Sequence, residues 1–181
     1  LRDVVELCAE LGIPVLTVFA FSTENWKRPQ EEVNVLMELL VEYLYREAGE
    51  LERNGIRVNA IGRLDELPPS ARDAVYDIME RTKHNNRLIL NLALNYGGRT
   101  ELVDAARTLA REVLAGRLRV EDIDEGRMAG ALYTATLPDP DLVIRPSGEM
   151  RISNFLLWQV AYAELWVTPV LWPDFQRAHL L

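Results

Sequence analysis

Apolar residues along this chain alternate between short uninterrupted runs and longer segments with helical spacing. Short runs rich in aliphatic and β-branched residues are typical of strands in a buried parallel sheet. The predicted strands are Val15–Phe21, Ile56–Gly62, Leu88–Asn95, Leu142–Ile144 and Leu165–Val167. Segments with apolar residues three and four positions apart separate these runs and predict helices. The predicted helices are Leu1–Leu11, Pro29–Arg53, Leu67–Lys83, Thr100–Ala115, Val120–Tyr133 and Ser153–Tyr162, with a further helix start at Asp174.

Strands that are separated by helices pair in parallel through right-handed crossover connections. No internal repeat, low-complexity tract or linker divides the chain. We therefore predict a single α/β domain over residues 1–181, with an open, mostly parallel, twisted sheet flanked by helices. Ligands of such sheets bind at the carboxyl ends of the strands. The segments that directly follow predicted strands are Ser22–Arg28, Asn95–Arg99 and Arg145–Ser153, and we expect the chemistry there.

Composition and charge narrow the range of partners and compartments. The net charge of −8 disfavours nucleic acid as a ligand, because affinity for its phosphates needs a basic face. The single cysteine, Cys8, rules out an intrachain disulfide and favours a reducing compartment. A zinc site is disfavoured, because the sequence contains only two histidines in addition to this cysteine. The sequence contains no apolar run of membrane-spanning length. We expect no signal peptide, and hence a cytoplasmic protein whose membrane contact is at most peripheral.

The two ends of the sequence suggest that it is cut. The chain begins at Leu1 rather than at a methionine, and helical spacing starts at once. It stops at Leu181, shortly after the helix start predicted at Asp174. The alternative interpretation is a protein that is simply short.

All three loops are rich in polar groups. Ser22–Arg28, with the sequence STENWKR, offers a hydroxyl, a carboxylate, an amide and a guanidinium group. Its alternative interpretation is a capped helix start covered by Trp26. In Asn95–Arg99, Gly97 and Gly98 precede a helix and would let backbone N–H groups approach an anion. The alternative there is an ordinary loop into a helix capped by Thr100.

The third loop carries the strongest indication of an anionic ligand. Arg145 ends a predicted strand, and Arg151 and Ser153 stand where the next helix is predicted to begin. Two guanidinium groups and a hydroxyl match the oxygens of a diphosphate. The alternative is a salt-bridged turn in which Glu149 pairs with both arginines. Glu164, in an apolar stretch, needs a partner such as Mg²⁺ or an arginine, and its alternative is a salt bridge at a helix end.

Taken together and in order, these segments resemble the cis-prenyltransferase family, nearest to its bacterial undecaprenyl diphosphate synthases. The motifs are FSTENWKRP, NYGGRTEL and DPDLVIRPSGEMRISNFLLWQVAYAELW, the last continuing to LWPDF. The resemblance runs from about Leu1 to Phe175. It implies the condensation of isopentenyl diphosphate with an allylic diphosphate, typically farnesyl diphosphate, to a cis-polyprenyl diphosphate. It also implies Mg²⁺ as cofactor, a homodimer formed through the ISNFLLWQ region, and a lipid product.

The resemblance assigns roles to individual residues. It implies that isopentenyl diphosphate is bound by Arg145, Arg151 and Ser153, and Mg²⁺ by Glu164. The residues that it implies for the loop closing over the substrates are Ser22, Asn25, Trp26 and Arg28, with Asn25 aiding proton removal. Glu32 and Glu149 match family positions in the same site, and we group Glu149 with Ser22 and Asn25 as catalytic. Leu36, Leu39 and Leu88 would line a tunnel for the growing chain; their alternative interpretation is ordinary core.

The sequence departs from the family pattern in two respects. Family members carry an Asp-Gly-Asn-Gly-Arg-Trp motif that holds the allylic diphosphate, and residues 1–181 do not contain it. We therefore expect residues 1–181 alone to be inactive. Pro146 and Met150 stand where relatives often have Thr and either His or Gln, which removes a metal or proton ligand at Met150. Two other hypotheses are a non-catalytic partner subunit of the same fold and a module that merely binds an anion.

Overall fold

The computed structural model describes residues 1–180, which form two compact units. Unit 1 comprises residues 1–96 together with the described residues from Leu171 onward, and unit 2 is Gly97–Val170. Within the described residues, no helix combines the length and the apolar character that a membrane span requires.

Unit 1 is built around three parallel strands and three helices. Its elements in chain order are α1 (Arg2–Glu10), β1 (Val15–Ser22), α2 (Gln30–Arg53), β2 (Ile56–Ile61), α3 (Pro69–Thr82) and β3 (Leu88–Tyr96). Short 3₁₀ turns occupy Thr23–Lys27, Leu64–Glu66, Trp172–Asp174 and Arg177–His179. The strand order is β1-β3-β2, and both strand pairs are parallel. β3 is the central strand, and all of its residues except Ile89 are buried, which agrees with its nearly continuous apolar sequence.

The turn after β2 depends on a glycine. Gly62 has a φ of +119°, and a Cβ atom there would lie 1.9 Å from the backbone oxygen of Leu94. Only a residue without a side chain lets the chain that leaves β2 approach β3 so closely. This contact fixes the path of the chain next to the carboxyl end of β3.

Unit 2 contains two helices and a second, smaller parallel sheet. Its elements are α4 (Gly98–Leu114), a 3₁₀ turn (Val120–Asp122), α5 (Glu125–Gly130), β4 (Leu142–Arg145) and β5 (Glu164–Val167). β4 and β5 pair in parallel, with Leu142 opposite Glu164 and Arg145 opposite Val167.

The structure confirms the predicted class: five strands occur where they were predicted, all paired in parallel and accompanied by helices. Hydrogen bonds divide them, however, into a three-stranded and a two-stranded sheet instead of the one sheet expected. The single domain over residues 1–181 stays a prediction.

Three helix predictions are wrong. Val120–Tyr133 is not one helix, because Asp124 adopts an extended conformation and its Oδ1 accepts from the Arg127 N–H at 2.8 Å, which starts the short α5. Asp174 ends a 3₁₀ turn, since Phe175 is extended. Ser153–Tyr162 consists of turns, because Ser153, Asn154 and Leu156 have positive φ angles that a right-handed helix excludes. Arg151 and Ser153 therefore do not stand at a helix start.

Candidate functional site

The first polar loop begins where β1 ends. Asn25 Oδ1 accepts hydrogen bonds from the Ser22 backbone N–H at 2.8 Å and from the Ser22 hydroxyl at 3.2 Å. These bonds close the 3₁₀ turn Thr23–Lys27 over the end of the strand, much as a helix cap does. The NH₂ group of Asn25, which is partly exposed, has no hydrogen-bond acceptor in the part of the chain that the structure describes. This NH₂ group can therefore still donate to a ligand.

Trp26 connects this loop to the end of β3. Its indole Nε1–H donates to Asn95 Oδ1 at 2.7 Å, and its ring meets Phe21 edge to face with centroids 5.0 Å apart. Parallel neighbouring strands end at the same edge of a sheet, and Ser22 is the register partner of Tyr96. The structure therefore brings the first predicted loop to Asn95, the residue at which the second predicted loop begins, at the carboxyl ends of β1 and β3.

Asn95 is the residue on which this arrangement depends. Its side chain is buried, and its Nδ2 donates to the Arg63 carbonyl at 3.0 Å and to Glu66 Oε2 at 3.3 Å. Its φ of +46° is a conformation that Asn adopts more readily than most residues. The sequence analysis named Asn95 only as the last residue of a predicted strand and the first residue of a loop. An asparagine that directly follows an apolar strand is the signal that could have identified it.

Arg28 and Glu32 are exposed and weakly paired. Arg28 Nη1 lies 3.6 Å from Glu32 Oε2, and more than half of each side chain is exposed. Such surface pairs stabilise a protein little. The Arg28 guanidinium is accordingly available to an anionic ligand.

The three leucines predicted to line a tunnel lie in different surroundings. Leu88, the first residue of β3, is only 1% exposed and pairs in register with Ile56. Leu39 is 53% exposed on α2, and Leu36 is partly buried. The buried face of α2 is formed by other residues, namely Val33, Met37, Leu44, Ala48 and Leu51. Leu88 thus has the environment of an ordinary core residue, whereas Leu39 presents apolar surface outside that core.

In unit 2, Glu149 joins the two arginines of the third loop. Its Oε2 accepts from Arg145 Nη2, and its Oε1 accepts from Arg151 Nη2 at 2.6 Å. The hydrogen bond from Arg145, and then the charge of Arg151, hold the pKa of Glu149 below its usual range. The salt-bridged turn considered as the alternative is therefore present. We call these three residues the arginine cluster; its net charge is positive, because two guanidinium groups face one carboxylate.

One hydrogen-bond donor of the arginine cluster has no acceptor in the described part of the chain. Only 26% of the Arg145 side chain is exposed, and its Nε is buried without a hydrogen-bond partner among the described residues. A buried, unpaired donor on a cation is costly and suits an added anion. The loop that carries the cluster is held in place by Ser147 and Gly148, whose N–H groups donate to the carbonyls of Val170 and Thr168 at 2.9 and 2.8 Å.

The structure does not bring Glu164 to the arginine cluster. Glu164 begins β5 opposite Leu142, whereas Arg145 ends β4 opposite Val167. Three residues along a strand correspond to about 10 Å. The Glu164 side chain is exposed and has no ion pair or hydrogen bond within the described part of the chain. No group of three or more His, Cys, Asp or Glu residues suited to a metal occurs among residues 1–180.

Unit 2 also contains hydrogen-bonded polar residues that the sequence analysis did not identify. Glu101 and Gln159 are buried and hydrogen-bonded to each other, and Asn154 bonds the start of α4. Glu101 is part of the motif NYGGRTEL, but an acidic residue in a first helical turn is common. The spacing of residues alone could not show that Glu101 is buried rather than exposed in that turn.

The chain is an α/β protein whose parallel strands end in polar loops. One of these loops carries the arginine cluster, which has a buried donor without a partner among the described residues and therefore suits an anionic ligand. The whole chain, residues 1–181, matches the family model described as putative undecaprenyl diphosphate synthase. It is 55% identical over 181 residues to an isoprenyl transferase of Heliobacterium mobile, covering 100% of this chain and 70% of that relative.

Two solved structures are similar to the chain. Lavandulyl diphosphate synthase from Lavandula x intermedia, crystallised with dimethylallyl diphosphate, has a TM-score of 0.95 at 38% identity, with 99% of this chain and 78% of that one covered. A probable undecaprenyl diphosphate synthase from Campylobacter jejuni has a TM-score of 0.87 at 35% identity, with 99% and 82% covered. The chain belongs to the undecaprenyl diphosphate synthase family. The predicted family and its activity, condensation of isopentenyl diphosphate with an allylic diphosphate, are confirmed.

Proposed function

We propose that the arginine cluster of unit 2 binds the diphosphate group of isopentenyl diphosphate, with Ser153 as a further donor. The observation that carries this proposal is the buried Nε of Arg145, which lacks a partner among the described residues. A diphosphate bears more negative charge than the carboxylate of Glu149 and can accept from both guanidinium groups. Each charge-assisted hydrogen bond is worth about 1.5–3 kcal/mol.

Glu149 has a preparatory role in this proposal. Its carboxylate neutralises and aligns Arg145 and Arg151 before substrate is present. A diphosphate that takes over these donors releases Glu149, and the released carboxylate is then a charged neighbour of the bound substrate. This is the sense in which we group Glu149 with the catalytic residues.

The loop after β1 is proposed to act on the reacting ends of the substrates. Ser22 holds Asn25 through its Oδ1, so that the NH₂ group of Asn25 remains to donate to an oxygen of a bound diphosphate, and a diphosphate oxygen accepts the proton that leaves the isopentenyl unit. Trp26 supplies an apolar surface fixed at both ends by Phe21 and Asn95. Arg28, whose pairing with Glu32 is weak, is available to a second diphosphate, which we take to be that of farnesyl diphosphate.

Mg²⁺ is proposed to arrive together with a diphosphate. Magnesium is usually held by one or two carboxylates together with substrate phosphates and waters, and the unpaired, exposed carboxylate of Glu164 fits that use. When bound, the ion supplies positive charge that stabilises a departing diphosphate. Since Glu164 lies along the sheet from Arg145, we assign it to the metal alone and not to the arginine cluster.

The remaining assignments concern the product and the assembly. We propose that Leu36, Leu39 and Leu88 contact the growing chain, and Leu39 already presents exposed apolar surface. We further propose a cytoplasmic homodimer that touches the membrane only peripherally to deliver its lipid product. Residues 1–181 alone are proposed to be inactive, because they do not include the motif expected to hold the allylic diphosphate.

The direct test of the arginine cluster is isopentenyl diphosphate binding by Arg145→Ala and Arg151→Ala variants of the complete enzyme. We expect each to weaken binding at least about tenfold, as the loss of a charge-assisted bond predicts. Arg117→Ala is the matched control, because that exposed arginine pairs only with Glu112 in the described chain. Unchanged binding in both cluster variants would disprove the assignment.

A further inference from the structure

The turn that carries Asn25 and Arg28 is one hydrogen-bonded unit. Asn25 Oδ1 accepts from the backbone N–H and the hydroxyl of Ser22, and the Arg28 N–H donates to the Asn25 carbonyl at 3.1 Å. Trp26 stands between Asn25 and Arg28 in this turn. A contact that fixes the Trp26 side chain therefore also fixes the positions from which Asn25 and Arg28 reach a ligand.

Such a contact comes from Asn95 at the carboxyl end of β3. Its Oδ1 accepts from the Trp26 indole N–H at 2.7 Å, across 69 positions of sequence. The edge-to-face contact with Phe21 also restricts the indole ring, but Phe21 lies on the strand that leads directly into the turn. The bond to Asn95 thus ties the turn to a different strand, which the contact with Phe21 does not do.

The orientation of the Asn95 amide is itself determined by its neighbours. Its Nδ2 donates to the Arg63 carbonyl at 3.0 Å and to Glu66 Oε2 at 3.3 Å, so that Oδ1 faces Trp26. Both acceptors belong to the turn after β2, whose Arg63 N–H also donates to the Asn95 carbonyl at 3.3 Å. Asn95 is only 2% exposed. A buried amide whose oxygen and nitrogen both have partners does not rotate without losing them.

We propose that Asn95 is a positioning residue for the allylic diphosphate: through Trp26 it holds the turn that presents Arg28. Asn95 is not itself a ligand, because its side chain is buried and its polar atoms already have partners. The inference rests on the proposed function, in which Arg28 binds the diphosphate of farnesyl diphosphate. Loss of the bond between Asn95 and Trp26 therefore weakens the binding of farnesyl diphosphate without a direct effect on the arginine cluster.

The contacts of the Asn95 amide offer a reversible test. In Asn95→Asp one carboxylate oxygen still accepts from Trp26. The other oxygen faces the Arg63 carbonyl and the Glu66 carboxylate, so the bonds that orient the side chain are replaced by repulsion. Adding Glu66→Gln replaces one of these acceptors by an amide that donates to the new carboxylate. Glu66→Gln alone keeps an oxygen that accepts from Asn95, and we expect it to resemble wild type.

A second variant and a matched control complete the set. Asn95→Gly removes the side chain and keeps the left-handed backbone that the φ of +46° requires. The matched control is Asn85→Gly. Asn85 Nδ2 also donates to two carbonyls, those of Leu51 and Ile56 at 3.4 and 2.8 Å, but from the turn that precedes β3. The control therefore loses comparable hydrogen bonds at the opposite end of the same strand.

The measurement is steady-state kinetics of the complete enzyme with farnesyl diphosphate and isopentenyl diphosphate varied in turn. We expect Asn95→Gly and Asn95→Asp to raise KM for farnesyl diphosphate about tenfold, and KM for isopentenyl diphosphate to stay within about twofold. Adding Glu66→Gln to Asn95→Asp should return KM for farnesyl diphosphate to within about threefold of wild type. Asn85→Gly should leave both KM values unchanged. Equal rises for both substrates, or no recovery in the double variant, would overturn the inference.

The KM values separate positioning from a merely structural role. A loss of stability reduces the amount of folded enzyme, which lowers kcat and leaves both KM values as they are. Asn95 variants with a lower kcat and unchanged KM values would therefore refute the positioning role.

A further variant covers the case in which the Asn95 variants do not fold. Trp26→Phe keeps the ring contact with Phe21 but lacks the N–H donor. We expect it also to raise KM for farnesyl diphosphate, and an unchanged value would count against the inference. If Arg28→Ala leaves this KM unchanged, the proposed function of the turn fails. If Arg28→Ala raises it while the Asn95 and Trp26 variants do not, only the positioning inference fails.

Discussion

Trp26 donates its indole hydrogen to Asn95 Oδ1 at 2.7 Å and so joins the loop after β1 to the end of β3. Asn95 is almost fully buried, so the loss of this donor would leave one of its acceptors unsatisfied. The same asparagine also bonds Arg63 and Glu66, and the path of three chain segments therefore depends on one side chain.

From this relationship we expect Trp26→Phe to destabilise the protein by about 1–3 kcal/mol, the cost of an unsatisfied buried acceptor. The aromatic contact with Phe21 is kept, so the loss reports the hydrogen bond. Urea unfolding measures the change, with Trp172→Phe as control, since Trp172 stacks on Phe175 near the surface. A Trp26→Phe protein as stable as the control would contradict this role of the bond.

Gly62 provides a test of the fold. Gly62→Ala forces a Cβ atom against the Leu94 carbonyl, which is backbone and cannot move aside. Gly116→Ala is a matched control, because Gly116 also has a positive φ but a Cβ atom added there would meet nothing within 4 Å. We expect the control to lose about 1–2 kcal/mol and Gly62→Ala to lose clearly more, measured by thermal and urea unfolding. Equal losses would mean that the close approach to β3 is not needed.

The proposed tunnel residues differ in burial, and their variants should differ accordingly. Leu88→Ala should destabilise the protein by about 2–5 kcal/mol, as a core truncation does, whereas Leu39→Ala should change stability little. If Leu88 limits the length of the growing chain, the folded Leu88→Ala enzyme also makes longer products, measured by chromatography of the dephosphorylated polyprenols. Shorter or identical products would leave Leu88 as a core residue only.

The arginine cluster predicts a pH dependence of stability. The pKa of Glu149 is lowered, first by the hydrogen bond from Arg145 and then by the charge of Arg151. A carboxyl group with a lowered pKa stabilises the folded state above its usual pKa, and the contribution is lost as the pH falls through the lowered value. The difference in urea midpoint between wild type and Glu149→Gln should therefore shrink as the pH falls from neutrality through the usual titration range of a glutamate and then through the lowered pKa. A constant difference would show that Glu149 does not titrate in this way.

The sequence predicted the strands well because each is a short apolar run, and it placed the polar loops correctly at strand ends. It could not show that Ser153–Tyr162 avoids a helix, because the spacing of its apolar residues is helical and the left-handed angles depend on bonds from Gly98 and Arg99. The division into two sheets likewise depends on pairing between distant strands.

The contacts of the candidate site were only partly predictable. The pairing of Glu149 with Arg145 and Arg151 was the alternative interpretation of the third loop, and the structure shows it. The role of these residues as diphosphate ligands stays a prediction. The bond between Trp26 and Asn95 could not be predicted, because it joins residues 69 positions apart. The separation of Glu164 from Arg145 follows from the register of β4 and β5, which the spacing of residues does not fix.

The most direct measurement is turnover of the complete enzyme with farnesyl diphosphate, radiolabelled isopentenyl diphosphate and Mg²⁺, beside the Arg145→Ala variant. A parallel reaction with a polypeptide of residues 1–181 alone tests whether these residues suffice. We predict long-chain cis-polyprenyl diphosphate from the complete enzyme, a much higher KM for isopentenyl diphosphate in the variant, and no product from residues 1–181. A complete protein that makes no product, but activates another prenyltransferase chain, would contradict the catalytic account and establish a non-catalytic partner subunit.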